Sequence, residues 1–282
     1  MIKVAVCCIG RQENRYINEF ISHYLNLGVD KIFIYDNNGY DEEYFESAID
    51  TTLITSKIDI IDYRGKDYCQ LKCYQECYDT YKEKFDWFLF IDCDEFLYIN
   101  EFNNIKDFLT QTKFNNFDII HINWMTYGDS NNIFYENKPL NERFTTPILP
   151  IDFKVDYEFA HNNHIKSIVR GGMDELVWGC TPHTPSNNLK CCGADGNVCD
   201  STSPFLQFDF TYAHFKHYTT KTIEEFLTIK VNRGFPDGNK DLFKIINPIE
   251  NFFKFNSITE EKIEYIKEYY KTKKKINDTI II

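Results

Sequence analysis

Short apolar runs alternate with stretches of helical periodicity through the first hundred residues. Lys3 to Ile9 is brief, apolar and β-branched, which predicts a buried strand. Gly10-Arg11-Gln12 makes a turn, and Ile17, Phe20, Ile21, Tyr24 and Leu25 then recur on one helical face between Glu13 and Leu27. Gly28 supplies a helix stop. Strands follow at Lys31–Tyr35 and Lys57–Asp62, separated by an acidic helix near Asp41–Ala48. A helix over roughly Gln70–Lys82 leads to the strand Trp87–Ile91. This β-α-β alternation with short connections predicts a mostly parallel α/β sheet covered on both faces. Ligands of such sheets sit beyond the carboxyl ends of the strands. Gly10, Asp36, Asp62 and Asp92 all fall at those ends.

The second half is less regular. Strands are predicted at Asp118–Trp124 and Ile165–Val169, the latter ended by Gly171-Gly172. Thr181–Pro204, rich in Pro, Asn, Gly and Cys, reads as one long loop of the kind that often serves as a functional lid. An amphipathic helix over Thr222–Asn232 is capped by Gly234, and Glu260–Lys275 forms a last helix. Its Lys-rich end suits the helix's own dipole, a solvated tail or an anionic membrane surface. The expected organisation is one domain in two halves, 1–100 and 101–282.

Composition narrows the function classes. With 282 residues and a hydrophobic fraction of 43%, the chain is long and apolar enough for a full core. A net charge of −12 leaves no basic field for a nucleic-acid partner, and makes a divalent cation useful wherever an anion must enter. Neither a signal peptide nor an apolar membrane span is recognisable, and ten cysteines in so long a chain read as free thiols, so the expected location is cytoplasmic. Cys69, Cys73 and Cys77 share a helical face and read as packing. Cys180, Cys191, Cys192 and Cys199 with His183 have the donor types of a zinc site, but the spacing lacks a C-x-x-C pair.

The most chemical segment is Phe88-Leu89-Phe90-Ile91-Asp92-Cys93-Asp94-Glu95-Phe96. In extended backbone, residues two apart point the same way. Asp92 and Asp94 would thus act together at a strand tip. Two hard oxygen donors on an open face suit Mg2+ or Mn2+ carrying a phosphorylated substrate, although an acidic turn would look the same. Neither a G-x-G-x-x-G after the first strand nor a G-x-x-x-x-G-K-[ST] is present, which disfavours a nicotinamide dehydrogenase or a P-loop NTPase.

Several segments in order resemble GT-A glycosyltransferases, most closely glycosyltransferase family 92 and its family 2-like bacterial and viral relatives. They are Glu19-Phe20-Ile21-Ser22-His23-Tyr24 running to Asp36-Asn37, then Trp87 to Leu97, Trp124-Met125-Thr126-Tyr127-Gly128-Asp129-Ser130, Lys166 to Arg170, Pro182-His183, and His217-Tyr218 to Phe226. Tyr127 stands where Phe is usual, and the membrane anchor of eukaryotic members is not seen. The resemblance implies a Rossmann-like mixed sheet flanked by helices, with an irregular acceptor-binding second half. It implies transfer of a sugar, with galactose suggested by the family, from a UDP-sugar to a glycan hydroxyl, with inversion. Ile9, Arg11, Asp36 and Asp92 would line the nucleotide. Asp92 and Asp94 would hold the metal with a late histidine as third ligand, His217 first and His183 second. One imidazole favours Mn2+ over Mg2+. Asp129 is the expected base, with Asp174 and Glu175 in reserve; an Asx turn at Asp129 is the plainer alternative. Trp124, Tyr127 and Trp178 would stack on the acceptor or simply pack. Two rival readings are a sugar nucleotidyltransferase and a non-catalytic carbohydrate-binding relic.

Overall fold

The apolar run at the N-terminus forms β1 (Val4–Gly10), every residue of which is buried. Burial on both faces explains why it reads as continuous rather than alternating. In the computed structural model, which describes residues 1–148, 161–234 and 247–280, β1 lies between β2 (Lys31–Asp36) and β4 (Trp87–Asp92), with β3 (Ile58–Asp62) beyond β2. All three pairings are parallel. The helices between them are α1 (Ile17–Asn26), the short α2 (Phe45–Ala48) and α3 (Gln70–Tyr81). Gly28, just past α1, has φ +93°, the left-handed conformation glycine adopts without a Cβ penalty. Cys73, Tyr74, Cys77 and Tyr78 of α3 pack with Ala5, Cys7, Phe88 and Phe90 in one buried cluster, so the cysteine stripe is core, as expected.

The sheet is mixed. Its order is β3-β2-β1-β4-β7-β6-β9-β5, where β5 is Glu95–Ile99, β6 Ile119–Thr126, β7 Ile165–Arg170 and β9 Ala213–His217; β8 (Cys191–Gly193) flanks β6. β7 is antiparallel to both β4 and β6, and β5 to β9. Only Cys93 and Asp94 separate β4 from β5, yet three strands lie between them in this order. In a flat sheet four strand spacings would span about 19 Å, whereas three Cα steps reach about 11 Å. The sheet must therefore curl until the end of β9 returns to the β4–β5 corner. Tyr24 of α1 braces that corner: its hydroxyl donates to the Glu95 carbonyl at 2.8 Å and accepts from the Leu97 amide at 3.1 Å.

The described chain divides into two compact units, 1–126 with 161–217, and 127–148 with 218–234 and 247–280, so the division is interleaved rather than falling at residue 100. The second unit holds the helical run Ile223–Glu225, Phe226–Lys230 (π-helical) and Val231–Arg233, then Pro248–Phe253 and Glu260–Ile280. Thr222 and Glu225 form a capping box at the start of the run, and Gly234 ends it at φ +80°. Among the described residues no helix is long and apolar enough to cross a membrane.

Candidate active site

The parallel strands end in one row. Gly10 is opposite Asp36, Asp36 opposite Asp62, and Ile9 opposite Asp92. The expected gathering of these residues at the carboxyl edge is therefore what pairing register produces. What each side chain does there differs.

Asp92 is tied on both oxygens. Oδ2 accepts from Lys166 Nζ at 2.8 Å, and Oδ1 accepts from Gln70 Nε2 at 2.6 Å. Lys166 stands on β7 with no exposed side-chain surface, and its Nζ also lies 3.7 Å from Glu95 Oε2. Burial alone would push the Lys166 amine down, but Asp92 and Glu95 outweigh it and hold it above its usual value. Burial holds the Glu95 carboxyl well above the usual range despite Lys166. Glu95 Oε2 accepts from the Asp92 amide at 2.9 Å, which locks the corner. Asp92 remains partly exposed, so its second lone pairs face the strand-end edge.

Asp94 belongs to the turn between β4 and β5 rather than to extended backbone. It meets His217: His217 Nε2 lies 3.7 Å from Asp94 Oδ1, and both side chains are nearly buried. Register explains the meeting. His217 ends β9 opposite Glu95, the residue after Asp94. Trp124 of β6 covers His217 with ring centroids 4.1 Å apart, and it also stacks on His164 and meets His183 edge-on at 5.0 Å. His183 Nδ1 lies 2.9 Å from the Ile165 carbonyl, which only accepts, so Nδ1 carries the proton and Nε2 is the bare nitrogen. Burial and Lys166 keep the His183 imidazole neutral. Trp124, Trp178 and Tyr127 are all buried, which favours packing over stacking on a sugar.

The loops after β1 and β2 are stitched to each other. Arg11 makes a two-pronged contact with Glu42, with Nε at 3.2 Å and Nη2 at 3.1 Å. The Gln12 amide donates to Asn38 Oδ1 at 2.6 Å. Ile9 is buried beneath them. A Cβ on Gly10 would meet Cys93 Sγ at 2.7 Å and the Phe45 ring at 2.9 Å, so the first loop turns directly against the Asp92–Asp94 corner. Asp36, expected at the nucleotide, is engaged by its own loop. Its carboxylate is buried and takes the Asn38 amide at 3.0 Å and the Phe45 amide at 2.9 Å. Both oxygens brace the loop.

Asp129 lies within the second unit. Its Oδ2 lies 2.5 Å from Lys262 Nζ, with both side chains buried. The contact is an ion pair without hydrogen-bond alignment, since Lys262 directs a proton to the Ser257 carbonyl at 2.9 Å. Oδ1 accepts from the Asn131 amide at 2.9 Å, which is the Asx turn. The carboxylate expected as the base is thus enclosed by Lys262 and the Asn131 amide. Of the reserves, Asp174 is exposed and paired with Lys82.

Lys166, Gln70 and Glu95 were not singled out from the sequence. Lys166 left a signal there, a lone cation inside an apolar strand, which is rarely buried without a partner. Gln70 left none.

A curled, Rossmann-like mixed sheet with acids gathered at its parallel strand ends defines an α/β protein of the GT-A type. The family profile described as glycosyltransferase family 92 matches residues 2–274, and the chain belongs to that family. A family 92 protein of Ricinus communis is 28% identical over 114 residues, covering 37% of this chain and 19% of the relative. One of Oryza sativa subsp. japonica is 29% identical over 115 residues, covering 38% and 18%. The matched stretch thus spans less than a fifth of the length of those relatives. The solved chain titled "Crystal structure of S. aureus TarS" aligns at 10% identity with a TM-score of 0.36, over 90% of this chain and 44% of that one.

Proposed function

We propose that the chain transfers a hexose from a UDP-sugar to a hydroxyl of a glycan or glycoconjugate, using a divalent cation held by Asp94 and His217. Family membership supports the reaction class, and the observation that carries the site is the 3.7 Å approach of Asp94 Oδ1 to His217 Nε2. The two donors suit such an ion. With metal–ligand bonds of about 2.1 Å, donors sharing one ion lie about 3–4 Å apart. One oxygen and one imidazole nitrogen favour Mn2+ over Mg2+. When bound, the ion would stabilise the charge that develops on the departing diphosphate.

The chain's own residues supply the rest. Asp92, fixed by Lys166 and Gln70, offers a preorganised acceptor at the exposed edge for a ribose hydroxyl or a metal-bound water. Lys166 keeps that carboxylate aimed. Trp124 shields His217 from solvent and limits its rotation, so the Asp94–His217 geometry exists before any ligand arrives. Ile9 and Arg11 line the first loop beside this corner; Asp36 acts by holding the second loop in shape.

The test is UDP release from a panel of UDP-sugars, with and without a glycan acceptor, in Mn2+, Mg2+ or EDTA. Turnover in Mn2+ that EDTA removes supports the reading. Pyrophosphate release from a nucleoside triphosphate would instead indicate a nucleotidyltransferase. Glycan binding with no binding of any nucleotide sugar would indicate a relic.

A further inference from the structure

We propose that His121, Cys191 and Cys199 form a three-ligand Zn2+ site, bound through Nδ1 and two thiolates, that pins the 181–204 loop to the sheet. The three donor atoms lie within 4.8 Å of one another. Cys191 Sγ is 3.2 Å from Cys199 Sγ, and Cys199 Sγ is 3.7 Å from His121 Nδ1. Tetrahedral zinc with Zn–S of about 2.3 Å and Zn–N of about 2.05 Å places two sulfurs about 3.8 Å apart, and sulfur and nitrogen about 3.6 Å apart. The nitrogen is already at that distance from the Cys199 sulfur, and within 4.8 Å of the Cys191 sulfur. The sulfurs need to part by about 0.6 Å, whereas a disulfide at about 2.05 Å would need them to close by about 1.1 Å.

Strand pairing builds the cluster. β8 runs parallel to β6 with His121 opposite Gly193, so His121, Gly193 and Cys191 share a face. The chain then folds back at Asp195-Gly196: the Gly193 amide donates to the Asn197 carbonyl, Cys192 bridges Val198, and the Cys199 amide donates to the Cys191 carbonyl at 3.1 Å. This places Cys199 beside Cys191. The loop expectation for 181–204 thus misses a short strand and a hairpin. The residues with zinc donor types in the sequence are only partly the ones brought together. Cys180 is exposed, Cys192 Sγ faces the Ile119 carbonyl, and the histidine is His121 rather than His183.

The second observation concerns the imidazole. Thr184, fully buried, donates its hydroxyl to the Ser201 carbonyl at 2.5 Å. Its oxygen is therefore left to accept, and it lies 3.1 Å from His121 Nε2. His121 must carry its proton on Nε2, which leaves Nδ1 bare and facing Cys199. An imidazole whose far nitrogen is fixed by a hydrogen bond is the usual posture of a zinc-ligating histidine. A disulfide would leave this arrangement without a purpose. Loading releases a proton from each thiol still protonated and needs no oxidant. Cys199 is only partly buried, which gives an ion an entry path. Because Thr184 adjoins His183, and His183 packs on Trp124, the same ligands stiffen the loop beside the candidate active site.

The experiment uses the full chain, reduced, stripped with a chelator and titrated with Co2+. One equivalent should produce a sulfur-to-cobalt charge-transfer band, which Asp94 and His217 cannot generate, and Zn2+ should abolish it. Cys199→Ser and His121→Gln should lose the band, and Cys180→Ser should keep it. Thr184→Val should keep the stoichiometry but weaken affinity by about 10–100-fold. A wild-type chain with every thiol titratable and no such band would overturn the proposal, as would a Cys191–Cys199 disulfide that persists in reductant. Should a variant fail to fold, the wild-type spectrum alone decides.

Discussion

Replacing Asp129 by Asn separates a structural carboxylate from a catalytic one. The amide keeps the shape and can still accept from the Asn131 amide, but it cannot balance Lys262. At 2.5 Å the pair's gross attraction is about 7 kcal/mol at an effective dielectric of 20. Desolvation of both groups offsets part of that. Breaking one partner of a buried pair typically costs about 3–5 kcal/mol, because the other charge stays buried. Unfolding entropy of about 2.1 cal/mol/K per residue over the 282-residue chain gives about 590 cal/mol/K, so each kcal/mol moves the midpoint by about 1.7 °C. Asp129→Asn should therefore lower Tm by about 5–9 °C if the chain melts as one body, and the transition of the second unit should move if it does not. Per folded molecule, turnover should stay within about threefold. Asp129→Leu with Lys262→Met, which removes both charges, should recover most of the loss. The assay is a thermal melt beside a turnover measurement at a temperature where the variant is folded. An unchanged Tm with turnover reduced a thousandfold would refute the reasoning and restore Asp129 as the base.

Lys166→Met should cost about 3–5 kcal/mol near neutral pH, since it strips the cation from buried Glu95. Burial already holds the Glu95 carboxyl well above its usual value, and losing Lys166 raises it further, so this cost should be smallest at the acid end and grow only as pH rises through that raised folded value. Urea melts at two pH values check the slope; a cost independent of pH counts against it. Burial lowers His23 and His214 from 6.5 to about 4, so both are neutral in the fold where the unfolded chain takes up protons. Their contribution is complete above pH 6.5 and is lost as pH falls toward 4, by at most about 3 kcal/mol each. Burial lowers His164 and His183 as well, so His214→Gln should remove about a quarter of the slope these four histidines give, read as the midpoint of denaturation across the window.

The parallel half was legible because its signals are local. β1 and β4 are continuous apolar runs, α1 shows one greasy face, and Gly28 marks its end. β5 was not, because it follows β4 after two residues and reads as its continuation. The hairpin at Cys191–Cys199 was hidden by the turn-rich composition of its loop. Candidate site residues followed the same division. The row at the strand ends could be placed by counting elements. The meeting of Asp94 with His217 could not, since it depends on the curl that brings β9 to the β4–β5 corner. Asp36 and Asp129 looked like functional acids at loop starts, yet both sit in Asp-x-Asn sequences whose short acidic side chains take amides two residues on. That pattern was the available signal for their structural role.

The central claim is that Asp94 and His217 share one divalent cation that carries the donor's diphosphate. Mn2+ binding followed by electron paramagnetic resonance, in wild type, Asp94→Asn and His217→Ala, with and without UDP, addresses it directly. One Mn2+ per chain, bound more tightly with UDP and weakened at least tenfold in each variant whose fold is intact, is the predicted result. Unchanged Mn2+ and UDP binding in both folded variants would contradict it.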